Sequence, residues 1–319
     1  MVLELTLYNG LTAALTIMVL GCTFAVPALA LLLEISGLIT GKVFMDKLAW
    51  QTSRLGVILA LPLALVTGAA WLGSEYFKAF TVPDTVPGLM NPGLSEDILP
   101  GLPLISPAFL ILYTLLWKKT RQFKAVHLLL GAAGTAGMLG FLSLLAWSLY
   151  RMVMNISSTL PGPESIFYSI MVQAGLISMA AAAGLSMVYL LIRRSEDDFG
   201  RDYYRFALSL VARWGMLFAA LSPLVCVWTG LLIRSELDFS WLALPGAAYI
   251  LALLILILFF RKISRSSQPL RHKAIIAVCP VVTWFILVAR LVSWLEMSNI
   301  QMDTAMVEPF LRQWPGPLF

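Results

Sequence analysis

The stretch RLGVILALPLALVTGAAW, residues 54 to 71, opens with an arginine and then carries no charge over the length of a membrane crossing. Comparable apolar runs lie at about 9–33, 101–117, 125–149, 165–192, 207–233, 241–260 and 274–295, which makes eight with the run at 55–73. A bilayer core of roughly 30 Å needs about 20 apolar residues in a helix, and peptide groups in lipid must bond within their own segment. The chain therefore reads as all-α, a polytopic membrane protein of eight transmembrane helices. Composition agrees, because 60% of the 319 residues are hydrophobic and 12% charged, against roughly 45–50% and about 25% in soluble domains. The third run is the least regular: Pro100, Pro103 and Pro107 leave clean helix only after Pro107.

The first 40 residues lack a basic leader and a small-residue cleavage site, so the first run is expected to remain as a span. Basic residues gather after runs 1, 3, 5 and 7: Lys42, Lys47 and Arg54; Lys118, Lys119, Arg121 and Lys124; Arg193, Arg194, Arg201 and Arg205; Arg261, Lys262, Arg265, Arg271 and Lys273. These mark the inside loops of a multi-pass protein of the bacterial inner (cytoplasmic) membrane with both termini outside. The net charge of +5 is thus a topology signal and not a nucleic-acid footprint. Trp71, Trp147, Trp241 and Trp294 fall near outer ends, as interface anchors would. Cys22, Cys226 and Cys279 lie in apolar runs without paired spacing, so they indicate neither disulfides, nor a zinc site, nor attached haem.

The two halves match in order. Arg54 and Gly56 correspond to Arg213 and Gly215, Pro62 to Pro223, and Thr67-Gly68 to Thr229-Gly230 with a three-residue gap. His127 likewise falls close to the place of His272, and Trp147 matches Trp294. The reading is two tandem four-helix bundles, a first unit over 1–155 with an outside proline-rich loop at 74–104, and a second over 156–319. Because four is even, both units keep one orientation through the bilayer.

Few polar residues are placed to do chemistry. His127 and His272 could share a b-type haem, or one could hydrogen-bond a quinone carbonyl; each also suits a wet helix start beside Lys124 or Lys273. Arg54 and Arg213, at inner ends of even runs, can snorkel to headgroups or turn toward a cofactor. Arg290 sits inside the apolar part of run 8, where a charge normally faces a partner or a wet cavity. Gln173 reads as interhelical packing glue. Gly131, Gly134, Gly137 and Gly140 form a row at three-residue spacing suited to helix packing, with the small residues of run 5 as an obvious partner face. The outside loop and the apolar, proline-rich tail are expected to cap a site or dock another subunit. No Walker A run, HExxH or nucleophile elbow is present, and no catalytic or metal-ligating residue is assigned.

Residues 22–68 carry a further pattern: Val26-Pro27 in the first helix, Glu34 near its inner end, Gly41-Lys42 and Asp46 in a short basic loop, then Arg54 and Thr67-Gly68. This resembles subunit I of the cytochrome bd-type quinol oxidases, over about 50 of the 319 residues. The resemblance implies two four-helix bundles that begin outside. It also implies a haem-ligating histidine five residues before the first-helix proline, where this chain has Cys22, and acidic residues in the third helix, where residues 104–117 have none. With those ligands gone, haem b is not expected, and a quinone-linked scaffold is what the resemblance leaves. Haem-free eight-helix quinone-binding subunits, typified by the membrane subunit of polysulfide reductase, offer the same architecture. The expected role is a quinone-interacting or anchoring subunit of a respiratory electron-transfer complex, embedded in membrane lipid and working with multihaem cytochrome or iron–sulfur subunits. The competing readings are a transporter of a lipophilic solute and a structural assembly subunit.

Overall fold

The computed structural model describes residues 2–76, 102–117, 123–154, 165–197, 199–232 and 243–297. Most of the 74–104 loop, the tail from 298, Trp241, Lys118, Lys119 and Arg121 lie outside the described residues, as do the side chains of Trp71, Trp294 and Glu296.

Eight α-helices follow in order: α1 Val2–Thr40, α2 Val43–Tyr76, α3 Leu102–Leu115, α4 Lys124–Met154, α5 Ile166–Arg193, α6 Arg201–Leu232, α7 Ala243–Arg265 and α8 Lys273–Met297. A short 3-10 helix, Pro269–His272, leads into α8, and there is no strand among the described residues. Seven helices are long and apolar enough to cross a membrane. The exception is α3, whose apolar part Ile105–Leu115 is shorter; its first turns hold Pro103 and Pro107, which cannot donate to the helix ladder. Other helices outrun the apolar stretches because hydropathy marks only their lipid-compatible middle: α2 begins at Val43, well ahead of Leu55.

Each half closes into a ring. In the first, α1 packs on α2, α2 on α3, α3 on α4 and α4 back on α1; in the second, α5, α6, α7 and α8 repeat that order. The rings meet chiefly where α1 lies against α5, with α8 also touching α1. Small residues make this approach close. Ala180, Ala181, Ala182 and Ala183 of α5 are buried, and a Cβ added to Gly21 of α1 would lie 2.1 Å from Ser178 Oγ. The outward faces are apolar, with Leu65, Val66 and Leu224 each about two-thirds exposed, which water does not tolerate over so wide a surface.

The entry to the second helix of each ring repeats in detail. Gly41 and Gly200 adopt left-handed backbone, φ 68° and 82°, a conformation that costs a side chain about 1–2 kcal/mol and glycine little. Gly41 ends α1 by donating its N–H to Gly37 O at 2.8 Å. Counted from these glycines, buried Met45, Leu48, Ala49 and Ala60 of α2 fall in register with buried Tyr204, Ala207, Leu208 and Ala219 of α6. Gly56 and Gly215 keep the same register.

Among the described residues, basic side chains from the four connections gather at one end of the structure. Lys124 Nζ reaches Asp46 Oδ1 at 3.3 Å, Arg54 approaches Asp197 Oδ2 at 3.7 Å, and Lys42 shares a groove with Arg265.

Candidate functional site

Glu34, near the C-terminal end of α1, is fully buried. A carboxylate in an apolar helix needs donors, and two neighbouring helices supply them. Three residues apart at the start of α4, Lys124 and His127 share a face; Tyr113 lies near the end of α3, and Trp117 follows it in the turn just past the helix. His127 Nδ1 lies 2.9 Å from Glu34 Oε1 and 3.2 Å from Oε2, the Tyr113 hydroxyl donates to Oε2 at 2.7 Å, and Lys124 Nζ donates to Oε1 at 3.2 Å. On the other side of the ring, Nε2 lies 2.8 Å from the Tyr113 carbonyl. The Tyr113 ring stacks on the imidazole at 4.3 Å, and Trp117 meets it edge-on at 4.6 Å. Lys124 and Asp46, each about one-quarter exposed, form the mouth of the cluster.

This geometry fixes the proton count. A carbonyl only accepts, so Nε2 carries a proton. The Nδ1 to carboxylate contact then needs one more proton, held either as imidazolium facing carboxylate or as a neutral carboxyl donating to Nδ1. Without it two lone pairs would oppose each other. The pair therefore shares one proton inside an aromatic box, with a lysine at its entrance.

The row of glycines on α4 builds this box. A Cβ on Gly131 would fall 2.9 Å from the Tyr113 ring, one on Gly134 would meet Leu110 at 2.8 Å, and one on Gly137 would meet Ser106 Oγ at 2.3 Å. The row's partner is thus α3, not the fifth helix that its small residues suggested. The side chains of residues 106, 110 and 113 fill the row, whereas the α5 alanines are used up in the contact with α1 and its neighbours.

His127 departs from the wet-interface reading: it is 2% exposed, because Glu34 and the Tyr113 carbonyl give it buried partners. Both ring nitrogens are thereby engaged, so the residue does not fit as a haem ligand. Nor is it brought to His272. That histidine is on the 3-10 helix, which packs on α6, α7 and α8, whereas α4 packs on α1, α3 and α5. His272 borders a shallow hollow with Arg261, Lys262 and Arg265, a basic setting. Cys22 is fully buried in the core cluster that joins the two rings.

The two matched arginines have different surroundings. Arg54, about one-third exposed, stands over the Trp50 ring at 5.0 Å and faces Asp197 from the α5–α6 connection. Asp197 accepts from Arg193 Nε and Nη2 at 3.1 and 3.0 Å and from Gln51 Nε2 at 3.1 Å, while Tyr203 donates to Gln51 Oε1. The Arg193 hydrogen bonds, helped by Gln51 and the charge of Arg54, hold the Asp197 carboxyl below the usual carboxylate range against the opposing effect of burial. Arg213 is exposed and lines a separate groove.

Arg290 and Gln173, read separately in the sequence, are partners: Arg290 Nε donates to Gln173 Oε1 at 2.8 Å. Gln173 Nε2 donates onward to Tyr249 OH at 3.0 Å, which also meets Ser222 Oγ at 2.8 Å. This network ties α5, α6, α7 and α8 together. Trp147 is buried edge-on to Phe167 at 5.0 Å, a packing role where the sequence suggested an interface anchor.

Tyr113 and Trp117 escaped sequence reasoning, and Glu34 entered it only through the resemblance. The available signal was an acid close to the end of an apolar run, at the level of His127 and Lys124 on another helix. Among the described residues, no group of three or more His, Cys, Asp or Glu could hold a metal ion. No protein-family model, curated protein or solved structure matches the chain.

Proposed function

We propose that this chain is the quinone-interacting membrane subunit of a respiratory electron-transfer complex of the bacterial inner membrane, built as eight spans in two tandem four-helix units with both termini outside. The observation that carries the reading is the buried His127–Glu34 pair, boxed by Tyr113 and Trp117 and opening at Lys124 and Asp46. Oxidation of a quinol releases two protons and two electrons. A quinol held against the α1, α3 and α4 face would hand one proton to this pair as the pair releases its own through the Lys124–Asp46 mouth to water, and the second proton would leave by the same route. Its electrons would pass to a haem or iron–sulfur centre on a partner subunit, and quinone reduction reverses each transfer. The repeat of Gly41 and Gly200, with its matched burial in α2 and α6, supports duplication of an ancestral four-helix unit. The likeness of residues 22–68 to the quinol oxidase subunit supports the quinone. The basic end of the structure is the cytoplasmic side by the positive-inside rule.

The test is purification from native membranes in mild detergent, followed by quinone extraction and identification of associated subunits. The expected result is bound quinone together with a subunit that carries haem or iron–sulfur centres. A chain that purifies alone and free of quinone, and that moves a lipophilic solute in vesicles, overturns the proposal in favour of a carrier.

A further inference from the structure

One face of α6 is a basic stripe. Arg201, Arg205, Ser209 and Arg213 follow at four-residue steps and so lie along one side of the helix. Arg205 and Arg213 line a groove of about 700 Å³, with Lys42 just ahead of α2 and Arg265 at the end of α7 on its other walls. That volume is within the roughly 300–1,000 Å³ of small-molecule sites. Among the described residues, none of these four cations forms an ion pair, and the single acid on the wall is Asp202. Four like charges around one hollow create a positive potential that an anion relieves. The groove is also apolar along one side, where Met45, Phe206 and Leu210 line it and the Phe44 ring packs 5.8 Å from that of Phe206. Ser209 is committed to the Ser264 carbonyl at 2.7 Å, so charge and not hydroxyl donation dominates recognition.

We propose that this groove binds the phosphate headgroup of an anionic phospholipid, with the arginines and lysine on the phosphate and the acyl chains running past Phe206 and Phe44. A free phosphate ion shares the headgroup's chemistry but makes no use of the apolar wall. The site is separate from the His127–Glu34 cluster, and its test does not depend on any quinone.

The experiment titrates the full-length protein in neutral detergent with dioleoylphosphatidylglycerol, with the phosphatidylcholine of the same chains, and with inorganic phosphate, reading bound lipid by native mass spectrometry. Phosphatidylglycerol is expected to bind, and phosphate at equal concentration should not displace it. Arg205→Gln with Arg213→Gln is expected to weaken binding roughly thirtyfold, at about one kcal/mol per surface charge, while Arg194→Gln leaves it unchanged. Both substituted side chains are exposed, and an unchanged helical circular dichroism spectrum separates loss of the site from loss of the fold. Equal binding of phosphatidylcholine, or full affinity in the double variant, overturns the proposal. Displacement by inorganic phosphate overturns it too, by making the ligand the free ion.

Discussion

Glu34 Oε1 and His127 Nδ1 stand 2.9 Å apart in the interior of the first ring, and neither residue exposes more than 2% of its surface. Removing one member leaves the other desolvated, and breaking a buried pair typically costs about 3–5 kcal/mol. His127→Leu is expected to destabilise the protein on that scale, since it also strips the Tyr113 carbonyl of its donor. Glu34→Gln with His127→Leu should cost less than the two singles summed, by about 0.5–3 kcal/mol. Denaturant unfolding of the four proteins in detergent provides the measurement, and additive losses would mean that the two residues do not act as a pair.

Close packing of α1 on α5 makes the contact between the rings sensitive to single methyl groups. A Cβ on Gly21 falls 2.1 Å from Ser178 Oγ and 2.9 Å from its Cβ, whereas one on Gly175 meets nothing within 4 Å. Gly21→Ala is expected to destabilise by about 1–3 kcal/mol through overpacking. Gly175→Ala, on α5, should instead stabilise by roughly 0.5–1 kcal/mol through helix propensity. Opposite shifts in melting temperature are the signature. Equal shifts would place the two glycines in similar surroundings.

The Asp197 hub gives stability a defined acid limb. Its carboxyl is held below the usual range when folded, so its contribution is complete above the unfolded aspartate value of about 3.9 and is lost as pH falls through the lower folded value. The stability difference between the wild type and Asp197→Asn should therefore be constant from neutral pH down to roughly pH 4 and shrink below it. Melting curves across that window measure it. A difference that grows on acidification contradicts the hub, because its sign would require a raised value.

Much of the fold was readable because long apolar runs admit one backbone solution, and the Arg54-x-Gly56 and Arg213-x-Gly215 pairs carried the register later seen in burial. Proline content made α3 the irregular helix, and it is the short one. The site was harder to read because no local pattern assembles it. Glu34, Tyr113 and His127 sit on three helices, and only the ring order brings them together. A histidine beside a lysine at a helix start looks solvated in one dimension; the acid that buries it lies on α1. Arg54 and Asp197 likewise meet only because the rings press α2 toward the α5–α6 turn. For Gly131, spacing announced close packing, but the choice of α3 over α5 depended on which larger side chains filled the row.

The aromatic box around His127 is the proposed meeting point with a quinone, and Trp117, 4.6 Å from the imidazole, reports on it directly. The measurement is tryptophan fluorescence of the detergent-solubilised protein during titration with a menaquinone analogue, compared with Trp117→Phe and His127→Gln. We expect saturable quenching that is largely absent in Trp117→Phe and shifted at least about tenfold to weaker binding in His127→Gln, which breaks the buried pair with Glu34 that holds the box together. Quenching that is linear, and equal in all three proteins, would contradict the account.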